Sequence, residues 1–155
     1  MRVRDIMRRE ARFCHPWTDL AAAGRTMAEA GCGVLPVVDS GRKVVGMLTD
    51  RDICLFLAAR DCKPSEATAQ DVPHGDVFTC TTEDDISDAL AVMSAFQVRR
   101  LPVLDEGGHL DGILSLDDVA VASKALGPHD YTGPFYSDVA KTLKAICGHQ
   151  MPAIC

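Results

Sequence analysis

The chain has 155 residues, of which 47% are apolar, 25% are charged and 5% are aromatic, and its net charge at neutral pH is −6. This length fits one domain or two small halves that share a core. The negative charge and the few aromatic side chains argue against a nucleic-acid partner, and no apolar run approaches the ~18 residues of a membrane span. We therefore expect a cytoplasmic protein with neither a nucleic-acid nor a membrane partner.

An internal repeat runs through the chain at a shift of 66 residues, and it needs no insertion between residues 3 and 59. The string "LPVVDSG" (35–41) aligns with "LPVLDEG" (101–107), and Cys14 aligns with Cys80. We divide the chain into repeat 1 (residues 1–62), repeat 2 (residues 68–125) and a C-terminal loop and helix (residues 126–155).

The hydrophobic pattern of repeat 1 predicts alternating strands and helices. In chain order these are an extended segment at Val3–Met7, a strand near Ala11–Cys14, a helix from about Thr18 to Ala30, strands at "VLPVVD" and "VVGML", and a helix after Thr49. Leu20, Ala23, Met27 and Ala30 recur at helical spacing and form one face of the first helix.

Repeat 2 predicts the same order of elements. They are an extended segment at Gln70–Val72, a strand near Val77–Cys80, a helix from about Glu83 to Phe96 with Phe96 on its inward face, strands at "RLPVLD" and "LDGIL", and a helix after Ser115. The prediction is an α+β fold, β-α-β-β-α twice, with pseudo-twofold symmetry and two equivalent clefts. In the tail, Ser137 is expected to cap a last helix that Gly148 ends.

One motif occurs at the same place in both repeats, where a strand gives way to a helix. Thr49 precedes Asp52 by three residues, and Ser115 precedes Asp118 by three residues. Such a pair resembles a capping box, and capping is worth roughly 1 kcal/mol without any ligand. The same groups also suit a ligand, since helix amides and a hydroxyl can hold a phosphate and a carboxylate can accept from two vicinal hydroxyls of a ribose. The residues alone leave both interpretations open.

The whole pattern resembles the CBS domain, named for cystathionine β-synthase. It comprises Asp-Ile-Met, an amphipathic helix, Leu-Pro-Val-Val-Asp, a turn and Gly-φ-φ-Thr/Ser-x-x-Asp (φ apolar), and it is complete twice between about residues 2 and 125. Two such domains in tandem resemble a CBS pair, or Bateman module. The fragment "DGILSLDDV" is also similar to its counterpart in the γ regulatory subunit of AMP-activated protein kinase.

The resemblance implies a regulatory module with no catalysis of its own and no required cofactor. Family members bind AMP, ADP, ATP, S-adenosylmethionine or NAD, sometimes with magnesium, and commonly form homodimers. Carried over to this chain, it implies phosphate near Thr49 and Ser115 and ribose on Asp52 and Asp118. The family's pattern also includes the glycines Gly46 and Gly112, which precede each motif.

The resemblance also indicates where positive charge for a phosphate comes from. In the kinase subunit, basic residues reach the phosphates from positions equivalent to Arg100 and Arg99, and we rank Arg100 first; the alternative is a solvated basic edge. The family's lead-in segment runs opposite the motif of the other repeat. We therefore expect the stretch from Arg4 to Arg12, with the arginines Arg4, Arg8, Arg9 and Arg12, to line the Ser115/Asp118 cleft and residues 70–78 to line the Thr49/Asp52 cleft. The more basic first cleft is the one expected to take a polyphosphate.

Rival functions find little support in the sequence. The seven cysteines form no CxxC pair, and no second ligand pair lies at metal spacing, so we predict no metal site and no thiol enzyme. Asp50 and Asp52 could hold magnesium, although such charges are more often solvated helix starts. The prediction is an adenine-nucleotide sensor, as a homodimer that signals to an effector protein; the alternative is a ligand-free scaffolding dimer.

Overall fold

The structure, a computed structural model, describes residues 1–124 and 133–148. It has the mixed α+β fold that the sequence predicts, with each strand-helix motif present twice. The strands are β1 Arg8–Arg9, β2 Val34–Val38, β3 Val44–Thr49, β4 Cys80–Thr81, β5 Arg100–Leu104 and β6 Leu110–Ser115. The helices are α1 Leu20–Ala30, α2 Asp50–Arg60, α3 Ile86–Phe96, α4 Leu116–Ala122 and α5 Tyr136–Cys147. Within the described ranges, none of these helices has the length and apolar character needed to cross a bilayer.

The chain forms two compact units that do not coincide with the two repeats. Of the described residues, the first unit contains 1–9, 78–107, 111–124 and 133–148, and the second contains 10–77 and 108–110. Residues 1–9, here called the N-terminal lead-in, therefore belong with the body of repeat 2. Residues 69–77, here called the middle lead-in, belong with the body of repeat 1. Each unit is completed by the lead-in of the other repeat.

The first unit is built on a four-stranded sheet in the order β1-β6-β5-β4. β1 runs antiparallel to β6, and β4 runs parallel to β5. Apolar side chains from the N-terminal lead-in, the sheet and three helices form its core, which contains Val3, Met7, Cys80, Ile86, Ala89, Leu90, Met93, Leu101, Val103, Leu114, Leu116, Val119 and Ile146. The N-terminal lead-in is thus part of the core and not an appendage.

The second unit is built on the antiparallel pair β2-β3, to which Cys14 adds a single parallel bridge at Val37. Its core draws on the middle lead-in in the same way. The buried members are Cys14, Leu20, Ala23, Met27, Leu35, Val37, Leu48, Ala67, Ala69 and Val72. Of the face predicted for α1, Ala30 is exposed at the C-terminal end of the helix.

Both lead-ins begin differently from the extended segments predicted for them. Val3–Asp5 and Ala69–Asp71 each form one 3₁₀ turn. The cause is local, because Asp5 accepts a hydrogen bond from the Arg2 N–H at 2.8 Å and Asp71 accepts one from the Thr68 N–H at 2.8 Å. A side chain that bonds nearby backbone in this way competes with extended structure.

Two other element predictions were wrong in detail. The strand near Ala11–Cys14 is reduced to the isolated bridge at Cys14, and the strand at Val77–Cys80 lies instead at Cys80–Thr81. Phe96, placed on the inward face of α3, is 51% exposed and stacks on the Phe78 ring with a centroid separation of 3.8 Å. Its position as the last residue of α3 lets the ring turn toward that partner and not into the core.

The C-terminal helix α5 packs on the first unit, where Thr142 and Ile146 are buried. The predicted cap at Ser137 is wrong. The helix begins at Tyr136, with Phe135 as its N-cap, because the Asp138 carboxylate accepts from the Phe135 N–H at 3.0 Å. The predicted loop before the helix lies for the most part outside the described residues.

A glycine in each unit lets the lead-in approach the second strand of the repeat. A Cβ on Gly112 would lie 2.6 Å from the backbone oxygen of Arg8, which β1 holds against β6. A Cβ on Gly46 would lie 2.9 Å from the His74 ring. His74 is the repeat partner of Arg8, so equivalent residues cross equivalent glycines in the two units.

We expect Gly112→Ala to destabilise the protein by about 1–3 kcal/mol, because the new Cβ would collide with backbone that cannot move without breaking the β1-β6 pairing. Urea unfolding monitored by circular dichroism measures this. Gly24→Ala is the matched control, since a Cβ at this position of α1 would meet nothing within 4 Å and alanine should stabilise the helix by up to about 1 kcal/mol. Equal unfolding midpoints for the two variants would contradict the close approach.

Candidate functional site

In the first unit, the Ser115–Asp118 pair forms a complete capping box at the start of α4. The Oδ2 atom of Asp118 accepts from the Ser115 N–H at 2.9 Å and from the Ser115 hydroxyl, while the Asp118 N–H donates to Ser115 Oγ at 3.1 Å. The other oxygen, Oδ1, accepts from Nε of Arg8 at 2.8 Å. Both carboxylate oxygens are therefore engaged, one by the cap and one by the N-terminal lead-in.

In the second unit, Thr49 and Asp52 form the same box at the start of α2. Oδ2 of Asp52 accepts from the Thr49 N–H at 3.1 Å and from the Thr49 hydroxyl at 2.6 Å, and the Asp52 N–H donates to Thr49 Oγ1 at 3.0 Å. Within the described part of the chain, Oδ1 of Asp52 has no hydrogen-bond partner. The two motifs thus share a cap and differ at the second oxygen.

The first amides of these helices are not the unpaired donors that the sequence suggested. In α2 the Asp50 N–H donates to the Gly33 carbonyl at 3.1 Å and the Arg51 N–H donates to the Asp50 carboxylate at 2.7 Å. In α4 the Leu116 N–H donates to the Arg99 carbonyl at 2.9 Å. Because the protein itself satisfies these groups, a phosphate has to find most of its charge on side chains.

The contacts with Arg8 and Ser115 lower the pKa of the Asp118 carboxyl group. Burial raises the pKa of Asp118, but the hydrogen bonds from Ser115 and Arg8 lower it by more, so that the pKa lies below its usual value. The Asp118 side chain is 9% exposed, whereas that of Arg8 is 74% exposed. A carboxylate that is nearly covered is therefore held ionised by a cation that solvent reaches.

The two arginines that precede the Leu-Pro-Val of β5 differ in their partners. The carbonyl of Arg99 adjoins the start of α4, and its Nη2 donates to Cys147 Sγ of α5 at 3.6 Å. Arg100 is half-buried at the first position of β5, and its guanidinium has no ion pair within residues 1–124 and 133–148. Neither arginine has an ion pair in these ranges; Arg99 is exposed and contacts a thiol, whereas Arg100 is half-buried.

The N-terminal arginines predicted for the site have separate surroundings. Arg4 pairs with Glu83, and Arg9 Nη1 lies 3.9 Å from Asp111 Oδ2. Both belong to the unit that contains Ser115 and Asp118, whereas Arg12 is an exposed residue of the other unit. Their roles toward a ligand stay predictions.

A pocket of about 350 Å³ opens beside Asp52 in the second unit. Its lining combines one carboxylate, one guanidinium and an apolar surface supplied by α2 and the middle lead-in, namely Asp52, Leu55, Phe56, Ala59, Arg60, Val72 and Pro73. The Arg60 guanidinium lies 5.7 Å from the centroid of the Phe56 ring. This volume is in the range of small-molecule sites, and its lining offers an acceptor, a cation and an apolar surface.

Sequence reasoning missed Phe56 and Arg60, and it did not single out Arg8 among the N-terminal arginines expected at the Ser115/Asp118 cleft. Arg8 is one of several N-terminal arginines, and its repeat partner His74 shares none of its chemistry. Arg60 and Phe56 lie beyond the motif on α2, and only their spacing of eight and four residues from Asp52 places them on the same helical face.

Two of the cysteines belong to the core, and the described residues contain no group that could hold a metal ion. Burial raises the pKa of the Cys14 thiol to about 11 and that of Cys80 to about 12, so both are protonated core residues at neutral pH. Among residues 1–124 and 133–148, no three His, Cys, Asp or Glu side chains are grouped closely enough to hold a metal ion.

Comparison with known families identifies the class of protein to which this fold and its duplicated motif belong. The family model of the CBS domain matches the chain twice, over residues 3–59 and 69–125. The chain belongs to the CBS-domain family and carries two CBS domains in tandem.

Known relatives and a solved structure are similar to most of this chain. Hypoxic response protein 1 of Mycobacterium tuberculosis is 35% identical over 117 residues, which cover 76% of this chain and 81% of that protein. The crystal structure of Hypoxic Response Protein I with two coordinated zinc ions has a TM-score of 0.72 at 33% identity, and the match covers 80% of this chain and 100% of that one. An uncharacterized protein of Methanopyrus kandleri is 26% identical over 117 residues, and the match spans 76% of this chain and only 60% of that protein.

A solved structure with a nucleotide is similar as well. The crystal structure of CBSX2 in complex with AMP has a TM-score of 0.66 at 25% identity, and the match covers 78% of this chain and 94% of that one.

We predict that Arg8→Gln raises the pKa of Asp118, because it removes a hydrogen bond and a positive charge from the carboxylate. The folded-state pKa lies below the unfolded one, so the ionised carboxylate stabilises the protein above its ordinary pKa, and this contribution is lost as the pH falls through the folded value. Arg8→Gln should therefore cost up to about 1 kcal/mol at neutral pH and almost nothing in acid.

Urea unfolding across a pH series, with carboxyl-carbon NMR titration of Asp118, measures both effects. The control is Arg25→Gln, since Arg25 is an exposed arginine on α1 and makes no ion pair within the described residues. A difference between wild type and Arg8→Gln that stays constant from neutral to acidic pH would show that the ion pair is not formed.

Proposed function

We propose that this CBS pair is a cytoplasmic regulatory module that binds an adenosine-containing ligand at Thr49/Asp52 and at Ser115/Asp118. The observation that carries the proposal is the pocket beside Asp52, where the described residues leave one oxygen of that carboxylate unpaired. The AMP complex of CBSX2, a structural relative at 25% identity, supports an adenine nucleotide as the ligand class.

Each group in the pocket suits one part of a nucleotide. Oδ1 of Asp52 can accept the vicinal hydroxyls of a ribose, while Oδ2 keeps its cap bonds to Thr49. Phe56 and Val72 offer an apolar surface to a base, and Arg60 supplies a positive charge.

The other unit receives an equivalent assignment. We assign the ribose to Asp118 and a phosphate to Arg100, because the Arg100 guanidinium makes no ion pair within the described residues. Gly46 and Gly112 contribute by admitting the lead-ins. The further basic residues of the proposed site in this unit are Arg4, Arg9 and Arg99.

The regulatory part of the proposal concerns association. Leu55 on α2 is 56% exposed and Val121 on α4 is 90% exposed, and each would gain free energy from burial against another chain. We propose that the chain forms a homodimer, that ligand binding with or without magnesium alters its surface, and that an effector protein reads this change.

A second candidate function is a scaffolding dimer without a ligand. The observation in its favour is that both helix starts are complete as they stand. Thr49 and Ser115 satisfy their boxes, and Arg8 neutralises Asp118. Nothing in these caps requires a ligand for stability.

We expect AMP, ADP, ATP, S-adenosylmethionine or NAD to raise the melting temperature, because a ligand at 100 times its Kd stabilises the folded state by roughly 2.7 kcal/mol. A thermal-shift panel followed by calorimetry measures this. Asp52→Ala should abolish binding in its unit, and each loss of a cap should cost about 1 kcal/mol of stability.

The matched control is Asp19→Ala, which removes the N-cap of α1 and should leave ligand binding intact. If no compound in the panel shifts the melting temperature of the wild type, the scaffolding function replaces the sensor.

For the phosphate, Arg100→Ala should weaken ATP binding more than adenosine binding, because only ATP carries the charge that the guanidinium would bind. Calorimetric titration of both compounds tests this, and we expect a loss of about tenfold for ATP. Arg25→Ala serves as the control for net charge. Equal weakening of the two compounds would place Arg100 away from the phosphate.

A further inference from the structure

Arg8 lies over one of the two ribose carboxylates, and its equivalent in the other unit does not. Nε of Arg8 donates to Oδ1 of Asp118 at 2.8 Å, and the Asp118 side chain beneath it is only 9% exposed. The Arg8 side chain, 74% exposed, is the accessible member of the pair. A ligand that approaches this carboxylate therefore meets Arg8 first.

The repeat partner of Arg8 is His74, and its ring is held elsewhere. Its Nδ1 lies 3.2 Å from the Met47 carbonyl and its Nε2 lies 2.9 Å from the Ala69 carbonyl. The ring also packs on Gly46, as the backbone of Arg8 packs on Gly112. His74 makes no bond to Asp52, so the same fold position covers one carboxylate and leaves the other open.

The number of hydrogen bonds that the Asp118 carboxylate can accept explains why the Arg8 contact affects ligand binding. Oδ2 of Asp118 already accepts from the Ser115 amide and from the Ser115 hydroxyl. Each carboxylate oxygen has two acceptor positions, so both hydroxyls of a ribose have to bind Oδ1. Arg8 holds one of those positions, and a ribose cannot make both of its bonds until Arg8 leaves.

We propose that Arg8 makes the Asp118 site selective for phosphorylated nucleosides, while the Asp52 site also accepts neutral ones. This inference rests on the function proposed above. Arg8 stays on Asp118 when the site is empty, and a ribose displaces it. A phosphate on the ligand then gives the guanidinium a new anion, with the bidentate geometry that arginine favours.

A neutral nucleoside offers Arg8 no such exchange. It has to break the ion pair and leaves the guanidinium with water alone. The middle lead-in imposes no comparable barrier at Asp52, since residues 69–77 contain no arginine and the His74 ring nitrogens lie beside backbone carbonyls. One chain therefore contains two sites with different demands on the ligand.

The experiment isolates each site in the full chain and compares AMP with adenosine by calorimetry. Asp52→Ala leaves the Asp118 site to be measured, and Asp118→Ala leaves the Asp52 site. In the Asp52→Ala background we expect AMP to bind at least about tenfold more tightly than adenosine. Adding Arg8→Gln should reduce the ratio of the two affinities. Adenosine should bind more tightly because the carboxylate is open, and AMP should bind less tightly because a cation is lost.

Two further variants exclude a merely structural effect. Arg8→Lys keeps the positive charge and should retain most of the AMP preference, and Arg25→Gln should leave the ratio unchanged. If Arg8→Gln weakens AMP and adenosine by the same factor, or changes neither, Arg8 does not select for phosphate and the inference is overturned while the proposed function stands.

The remaining outcomes also decide. If the Asp52→Ala chain binds neither compound, adenosine binding that appears on adding Arg8→Gln supports the inference. If adenosine still does not bind, the inference is overturned. If the Asp118→Ala chain and the wild type also bind neither compound, the proposed function fails and this inference fails with it.

Discussion

The pairing of β1 with β6 at Gly112 is the interaction on which the first unit depends. It places the backbone oxygen of Arg8 where a side chain at residue 112 would otherwise lie, and it brings Val3 and Met7 into the core. Arg8 and Asp118 are separated by 110 residues along the chain, and this pairing places them side by side. The same strand pairing therefore contributes to the core of the first unit and places Arg8 beside Asp118.

The equivalent contact in the second unit shows how a duplicated fold acquires two kinds of site. His74 crosses Gly46 as Arg8 crosses Gly112, and the backbone requirement for glycine is the same. The side chains differ, however, and the fold tolerates the difference because both project from a lead-in whose buried anchors are other residues, such as Val3 and Val72. Electrostatics at the two carboxylates can thus diverge without cost to packing.

Much of the fold could be predicted from the sequence because it is specified locally and twice. The hairpins whose first strand contains "LPV", the helix starts at Thr49 and Ser115 and the buried faces of α1 and α3 all follow from short-range patterns. The errors have local causes too. Asp138 captures the amide of Phe135 and moves the start of α5 away from Ser137, and side-chain hydrogen bonds turn both lead-ins into 3₁₀ helices.

The candidate site was less predictable than the fold. The motif alone does not separate Asp52 from Asp118, since each is the third residue of a capped helix, and only the family resemblance predicted a more basic cleft at Ser115/Asp118. What distinguishes them is the side chain that the other repeat's lead-in brings across the glycine, and no short-range pattern contains that information. Arg8 aligns with a histidine and belongs to a run of arginines, so only the three-dimensional contact singles it out.

The capping box explains why such a site can exist empty. In both units the cap uses Oδ2 of the aspartate, and the proposed ligand uses Oδ1. Helix stability and ligand binding are thereby divided between two oxygens of one carboxylate, so that binding does not require the helix start to be dismantled. The capping role and the proposed ligand role are therefore compatible at each aspartate. What varies between the units is only the second oxygen, open at Asp52 among the described residues and held by Arg8 at Asp118.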